Sequence, residues 1–338
     1  MFERTRTHLR HGIIWATRGA TGSAQPPFDA QIEITNRCNL GCRTCTRMKL
    51  PSLGDMTYED FLRVLEALGP LRRLWLSGQG EPLLHRDLGR MIQACADRGV
   101  RETIVHTNAM LLSGGIAENL ASSPLGELRI SIDGGTAADI EYMRDGASMD
   151  KILANARAFA ARTAGASIRT VFYTVLNRHS AGTAHLLPGL AASCGIRSLY
   201  MVETVPFRDE STEREIYDRR EYQFASLPDG ERDATLARVR DEARRHGVTV
   251  QLDLKWYRKR CFEPFQKIYV DFEGNVTPCC RIHNEVFVGN ILRDGMAGSW
   301  YGKAMEEWRR DLLRRAGHRR ICIERCNLGI GADRRRNG

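Results

Sequence analysis

Cys38-Asn39-Leu40-Gly41-Cys42-Arg43-Thr44-Cys45 places three thiols on one short loop at the spacing C-x3-C-x2-C. Three cysteine sulfurs can hold three irons of a [4Fe-4S] cluster and leave the fourth iron open, and an open iron can bind and cleave a cofactor. Closed electron-carrier clusters take four cysteines and structural zinc sites take four ligands, so an odd trio points to reactivity. The alternative is a zinc knuckle completed by His85 or His106, although zinc sites are ordinarily announced by C-x2-C pairs.

A second group of thiols lies toward the C-terminus. Cys261 is followed by 12 residues to Gly274 and four more to Cys279, and Cys322 and Cys326 follow near the end. Ile268 to Val276 reads as a hairpin turning at Glu273-Gly274-Asn275, which would bring Cys261 and Cys279 together. The four sulfurs suffice for one closed cluster, with an all-cysteine zinc site as the alternative. Cys280 is left over as a spare ligand, a buried small residue or a hydrogen-atom donor to a substrate radical. Cys95 and Cys194 fall on expected helices and read as core.

The elements that must position these loops alternate between strand and helix patterns. Strands are expected at Ala30 to Thr35, Leu71 to Leu76, Glu102 to Thr107, Glu127 to Ile132, Ile168 to Leu176 and Ile196 to Val202. Helices are expected at Tyr58 to Leu68, Asp87 to Arg98, Ser113 to Ala121, Asp150 to Ala161, Ala181 to Cys194 and Gly230 to His246. Six βα units predict a partial TIM barrel, (β/α)6, with chemistry at the C-terminal strand ends. A further strand is expected at Thr249 to Leu254, and residues 206–228 read as a polar linker.

The cysteine trio after a strand resembles the radical S-adenosylmethionine (SAM) superfamily, and C-x12-G-x4-C resembles the opening of its SPASM and twitch auxiliary domains. The resemblance implies an N-terminal extension (1–28), a partial-barrel core (29–247) and a small twitch-type auxiliary iron-sulfur domain (248–338). It implies a SAM-binding [4Fe-4S] cluster on Cys38, Cys42 and Cys45. A full SPASM domain needs a further C-x2-C-x5-C segment that the chain lacks, so one auxiliary [4Fe-4S] cluster is expected, on Cys261, Cys279, Cys322 and Cys326. Leu76-Ser77-Gly78-Gln79-Gly80-Glu81-Pro82 resembles the family's GGE motif with Gln79 intervening, which implies that Gly80 and Glu81 meet the methionyl amino group. By the same resemblance Asn108, Ser131 and Asp133 contact the SAM ribose and carboxylate. Read alone, these segments are a tight turn and capping residues. Thr44 stands where the family often carries an aromatic residue, so adenine is expected to rest on other groups, backbone after Val202 among them.

The implied activity is reductive cleavage of SAM to a 5'-deoxyadenosyl radical and hydrogen abstraction from a C–H bond, with a reductant such as flavodoxin or ferredoxin as partner. About 30 residues precede the first strand, fewer than an independent leader-binding domain needs. A sugar, aminocyclitol or nucleoside-type substrate from antibiotic biosynthesis is therefore expected, with a peptide maturase and a non-catalytic scaffold as alternatives. Tyr173, Asn177, Glu203 and Arg208 read either as substrate-binding groups or as ordinary surface and cap residues. Composition agrees with an ordinary globular chain: 338 residues, 42% hydrophobic and 27% charged, with no run of the roughly 18 apolar residues that a span needs. The absence of a secretory h-region predicts the cytosol. The net charge of +9 suits an anionic substrate, and no aromatic-interleaved basic stripe suggests nucleic acid.

Overall fold

The computed structural model describes residues 24–50, 52–203, 222–254, 261–280, 282 and 286–313. The expected sites at Cys322, Cys326 and Arg208 lie outside them.

Six strands appear where alternation places them: β1 (Asp29–Ile32), β2 (Arg73–Leu76), β3 (Glu102–Thr107), β4 (Glu127–Ser131), β5 (Arg169–Leu176) and β6 (Ser198–Glu203). They pair in chain order, all parallel. The further strand expected near Thr249 and the first arm of the expected hairpin both join this set, one at each side. β7 (Thr249–Asp253) adds parallel to β6, and β8 (Lys267–Val270) pairs parallel with β1. Residues 248–253, assigned to the auxiliary segment by sequence, thus continue the core sheet. The expected hairpin follows: β9 (Asn275–Thr277) runs antiparallel to β8 through a turn at Gly274 (φ 82°), and β10 (Gly289–Asn290) completes the edge.

Alternation along each strand divides the residues between two faces. One face carries Ala30, Ile32, Leu74, Leu76, Val105, Leu128, Ile130, Phe172, Leu199 and Met201, all buried. The other carries Gln31, Trp75, His106, Arg129, Tyr173 and Tyr200, all half-buried. Parallel sheets normally read as continuous apolar runs because both faces are covered; here one face mixes these polar and aromatic groups with buried aliphatics such as Ile104 and Val171. That face is concave. His106 on β3 and Tyr173 on β5 have ring centroids 4.7 Å apart, although β4 lies between them and alternate strands of a flat sheet are about 9.5 Å apart.

Helices cover the apolar face. α1 (Tyr58–Leu68) buries Phe61, Val64, Leu65 and Leu68, the i, i+3, i+4, i+7 stripe, and is capped by Thr57, whose hydroxyl accepts from Asp60 N. Each such side chain contributes about 1.5–3 kcal/mol on burial. α2 (Leu88–Asp97) and α3 (Gly114–Ala121) follow, and Cys95 is fully buried in α2. α4 (Ala137–Met143) was not expected from sequence because seven residues give too little periodicity. α5 (Met149–Arg162) precedes β5. The helix expected over Ala181 to Cys194 is a 3-10 turn (Ala184–Leu186) and then α6 (Leu187–Ser193). Pro188 lacks an N–H and clashes in a helix interior, so the α-helix can begin only one residue before it. α7 (Asp229–His246) ends in Gly247 (φ 62°). Beyond the hairpin, α8 (Ile291–Gly298) breaks at Gly295 (φ 61°), and α9 (Lys303–Leu313) buries Met305, Trp308 and Arg309. No helix among the described residues is long and apolar enough to cross a membrane.

Candidate functional site

The cysteine loop is tied down at both ends. Asn36 closes its base, its amide donating to Ser52 O at 2.9 Å and its carbonyl accepting from Gly54 N at 2.7 Å. At its centre a two-residue antiparallel ladder pairs Gly41 with Asp145 and Cys42 with Arg144, just past α4. The unexpected helix thereby sets where the middle thiol sits. Arg43 adds N to Met143 O at 2.9 Å and Nε to Tyr142 O at 2.7 Å. Burial pushes the thiols of Cys38, Cys42 and Cys45 upward, Cys45 to about 11, and each of the latter two feels the charge of its loop neighbours. Metal binding must displace those protons. Cys45 Sγ approaches Gln79 O at 4.0 Å, and the Asn108 amide donates toward Cys38 Sγ at 3.8 Å. Three soft sulfurs on one loop suit iron–sulfur ligation. Among the described residues no three His, Cys, Asp or Glu side chains converge as ligands of a single ion. Neither histidine of the zinc alternative is poised to complete the loop. His85 uses Nε2 on Met56 O and Nδ1 on Asp87 N, and His106 faces the concave side of the sheet against Tyr173.

Glu81 is buried and spans three segments: Oε1 accepts from Thr107 Oγ1 at 2.7 Å and Leu83 N at 3.1 Å, and Oε2 from Asn108 N at 2.7 Å. Burial pushes its carboxyl up and these donors oppose the rise. It joins the ends of β2 and β3 while keeping lone pairs for a ligand. Asn108 continues the chain of contacts, donating to Asn39 Oδ1 at 2.9 Å and accepting from Met110 N. Ser131 ends β4, half-buried and two residues beyond Arg129 on the same face. Asp133 accepts from Val175 N at 2.8 Å and forms a 2.6 Å ion pair with Arg144, both side chains buried. Burial works against the Arg144 charge, but Asp133 and the thiols of Cys42 and Cys38 more than offset it. Arg144 had no sequence signal: it stands alone after a short helix.

Gly80 is where two backbones meet. A Cβ there would lie 2.3 Å from Thr35 O and 2.7 Å from Arg37 O. Gly80→Ala is expected to cost about 3 kcal/mol, the upper end of overpacking because backbone cannot rotate away, and to lower iron retention with it. Gly115→Ala in α3, with nothing within 4 Å, is expected to be neutral or to stabilise by up to about 1 kcal/mol. Equal thermal midpoints for the two variants would contradict this account.

Sequence reading also passed over Glu33, although a charge between Ile32 and Ile34 was a visible anomaly. Its Oε2 accepts from Gln79 N at 2.5 Å and Tyr269 OH at 3.1 Å, while Oε1 is buried without a partner. Gly78 exists to admit it, since a Cβ there would meet Glu33 at 2.1 Å. Burial raises the Glu33 carboxyl to about 7, opposed by Gln79 N and Tyr269 and assisted by Asp271. The folded protein then holds a proton that the unfolded chain releases near pH 4.5, so Glu33 lowers stability as pH climbs from about 4.5 to 7. Glu33→Gln keeps an oxygen for Gln79 N and escapes that loss. Its stability relative to wild type is expected to rise by up to about 3 kcal/mol across the window and then level off. A difference in melting temperature that is the same at pH 5 and pH 8 would refute the assignment.

Cys261 and Cys279 both pack against one small cluster, Ile282, Trp308 and Leu312. Cys280 is half-buried, and its charge bears on the Tyr269 hydroxyl. Asn177 is a structural residue, donating to Asp133 O and Val175 O and accepting from Ser180 N. Tyr173 stacks on Tyr200 within the concave face, and Glu203 is buried at the end of β6.

Two family profiles match the chain. One, described as the radical SAM superfamily, covers residues 32–187, and one, described as an iron-sulfur cluster-binding domain of SPASM type, covers residues 261–327. A GTP 3',8-cyclase of Acidothermus cellulolyticus is 31% identical over 153 residues, 42% of this chain and 41% of the relative. A PqqA peptide cyclase of Methylobacterium nodulans is 25% identical over 189 residues, 54% of this chain and 48% of the relative. The chain thus spans under half the length of these curated relatives. Streptococcus suis SuiB bound to S-adenosylmethionine superposes with a TM-score of 0.68 at 17% identity, covering 91% of this chain and 73% of SuiB, a likeness of fold. A thiol trio at the strand ends of a parallel α/β sheet, followed by a second cysteine-bearing domain, places the chain in the radical SAM superfamily, in its SPASM/twitch subgroup, whose two domains are those of a SAM-binding [4Fe-4S] cluster and of auxiliary iron-sulfur ligation.

Proposed function

We propose that this protein reductively cleaves SAM and abstracts a hydrogen atom from a C–H bond of a sugar, aminocyclitol or nucleoside-type molecule in natural-product biosynthesis. Dehydrogenation, epimerisation, decarboxylation and carbon–carbon bond formation are the outcomes open to it. The observation that carries the reading is the position of the cysteine loop, at the C-terminal strand ends beside a concave sheet face of half-buried polar and aromatic residues. When bound, the cluster and SAM supply a 5'-deoxyadenosyl radical.

Cys38, Cys42 and Cys45 would hold the SAM-binding cluster. Gly80 and Glu81 would meet the methionyl ammonium, Glu81 through its remaining acceptor capacity, and Asn108, Ser131 and Asp133 would contact the SAM ribose and carboxylate. Residues 29–247 form the catalytic core in this reading. Residues 248–338 carry one auxiliary [4Fe-4S] cluster through Cys261, Cys279, Cys322 and Cys326. Cys280 would donate a hydrogen atom to the substrate radical if the outcome is epimerisation, and flavodoxin or ferredoxin would deliver the electron. The PqqA peptide cyclase relative favours peptide modification as the second reading.

Anaerobic reconstitution with dithionite and SAM tests the first step, and formation of 5'-deoxyadenosine is the expected result. Its absence, with the iron content of two clusters present, would remove the proposal. Screening sugars against peptides for a mass change separates the two substrate readings.

A further inference from the structure

Lys267 opens β8 on the concave face. Its ammonium donates to Gln31 Oε1 at 2.7 Å and lies 4.1 Å from the centre of the Trp75 ring. Gln31 is fixed in turn, its amide donating to Ser77 O at 3.0 Å. The neighbouring arginines have anions: Arg73 pairs with Asp29 at 2.8 Å, and Arg129 pairs with Glu127. Lys267 meets a neutral amide and an aromatic face, and no carboxylate among the described residues. A half-buried ammonium without a counter-ion attracts an anion more strongly than a surface one, because less water screens it.

His106 stands on the same face of the sheet. Its Nε2 is out of solvent and has no hydrogen-bond partner, while the ring packs edge-on against Tyr173. Burial, then the charges of Arg129 and Lys267, hold the imidazole neutral. An unpartnered ring nitrogen and an ammonium without a carboxylate partner on one face of the sheet are both groups that ligand oxygens can satisfy. Trp75 carries Arg73 as well as Lys267 over its ring, and Tyr173 and Tyr200 stack on each other with centroids 5.6 Å apart beneath Arg129.

We propose that Lys267, His106 and Gln31 form an anion-recognition site within the concave face that takes the carboxylate or phosphate of a polar substrate. The inference deepens the reading above and rests on it for the ligand's being a substrate. The amide of Gln31 aims the ammonium, Lys267 supplies the charge, and His106 adds a neutral hydrogen-bonding nitrogen.

Isothermal titration of the reconstituted holoprotein under anaerobic conditions tests the site, with inorganic phosphate and D-glucuronate as probes and glucose as the uncharged control. At least one anion is expected to bind where glucose does not, and the preferred one identifies the group recognised. Lys267→Met is expected to weaken that binding at least about tenfold, the loss of one charge-assisted contact, and Lys267→Arg to restore part of it. Circular dichroism and the iron–sulfur absorbance of the variants guard against misfolding. Equal anion affinity in wild type and Lys267→Met, or no binding of either anion to wild type, would overturn the site. Formation of 5'-deoxyadenosine by wild type alone reports separately on the proposed reaction. If it fails while lysine-dependent binding holds, the reaction is wrong and the site stands.

Discussion

Cys42→Ala is expected to abolish 5'-deoxyadenosine formation, lowering the rate by more than about 10^3-fold, equivalent to roughly 4 kcal/mol of barrier. The iron content falls from about eight to about four per chain as the site-differentiated cluster is lost and the auxiliary one stays. Three thiolates are the minimum that leaves one iron open, so the loss of any one removes a ligand that water must replace. Cys42 is the most informative of the three because the Gly41–Asp145 and Cys42–Arg144 ladder is made of backbone and survives the substitution. The loop keeps its place and only the sulfur goes. Asn108→Ala removes a donor to Cys38 Sγ and to Asn39; outer contacts of this kind are worth about 10–100-fold in metal affinity or activity. The buried Cys95 in α2 is the control, and Cys95→Ala should leave iron content unchanged. The order expected is therefore Cys42→Ala far below Asn108→Ala, and Asn108→Ala below Cys95→Ala. Full iron and SAM cleavage in Cys42→Ala would end the assignment of the open cluster to this loop.

The sheet was legible because its strands carry strict alternation with an apolar partner face: Ala30, Ile32 and Ile34, then Leu74 and Leu76, then Leu128 and Ile130. The long helices were legible for the same reason at a period of 3.6, as in Phe61, Val64, Leu65 and Leu68. What escaped was polar or short. β7 and β8 are too rich in Thr, Gln, Asp, Lys and Tyr to announce membership of the core sheet, and their partners, Ser198 to Val202 and Asp29 to Ile32, are distant in sequence. α4 has seven residues, fewer than a periodicity argument needs. The cysteine spacing exposed the metal-binding chemistry, since ligand geometry on one loop is local. The second tier of the site was not local. Glu33 meets Gln79 and Tyr269, and Lys267 meets Gln31 and Trp75, at separations of 46 and more residues. Such pairs become visible only when strands are laid side by side. Glu81 and Asp133 were read as ligand contacts, and the structure adds that both hold strand ends together, through Thr107 and Asn108 in one case and Val175 and Arg144 in the other.

Arg144→Met is expected to destabilise the protein by about 3–5 kcal/mol, the loss associated with stranding one member of a buried ion pair. Asp133 would keep its carboxylate out of water with only Val175 N donating to it. The effect reaches the cluster loop as well, because the charge of Arg144 bears on the thiols of both Cys42 and Cys38. An iron–sulfur cluster held by three thiolates carries net negative charge, and withdrawing a buried guanidinium from beside it removes favourable electrostatic energy. Asp133→Asn tests the two contributions separately. It leaves Arg144 beside the thiols but without its counter-ion, so it should lose comparable stability while retaining more iron than Arg144→Met. The double variant Asp133→Leu, Arg144→Met removes both charges at once and should recover part of the stability lost by either single change, since no ion is then stranded. Chemical denaturation of apoprotein samples gives the stability order, and iron analysis of reconstituted samples gives the second. If Arg144→Met melts with wild type and binds the same iron, then the Arg144 charge matters neither to stability nor to the cluster loop. If the double variant is no more stable than the singles, the pair's role lies in fixing the Asp133 backbone contacts with Asn177 and Ser180 rather than in its charge.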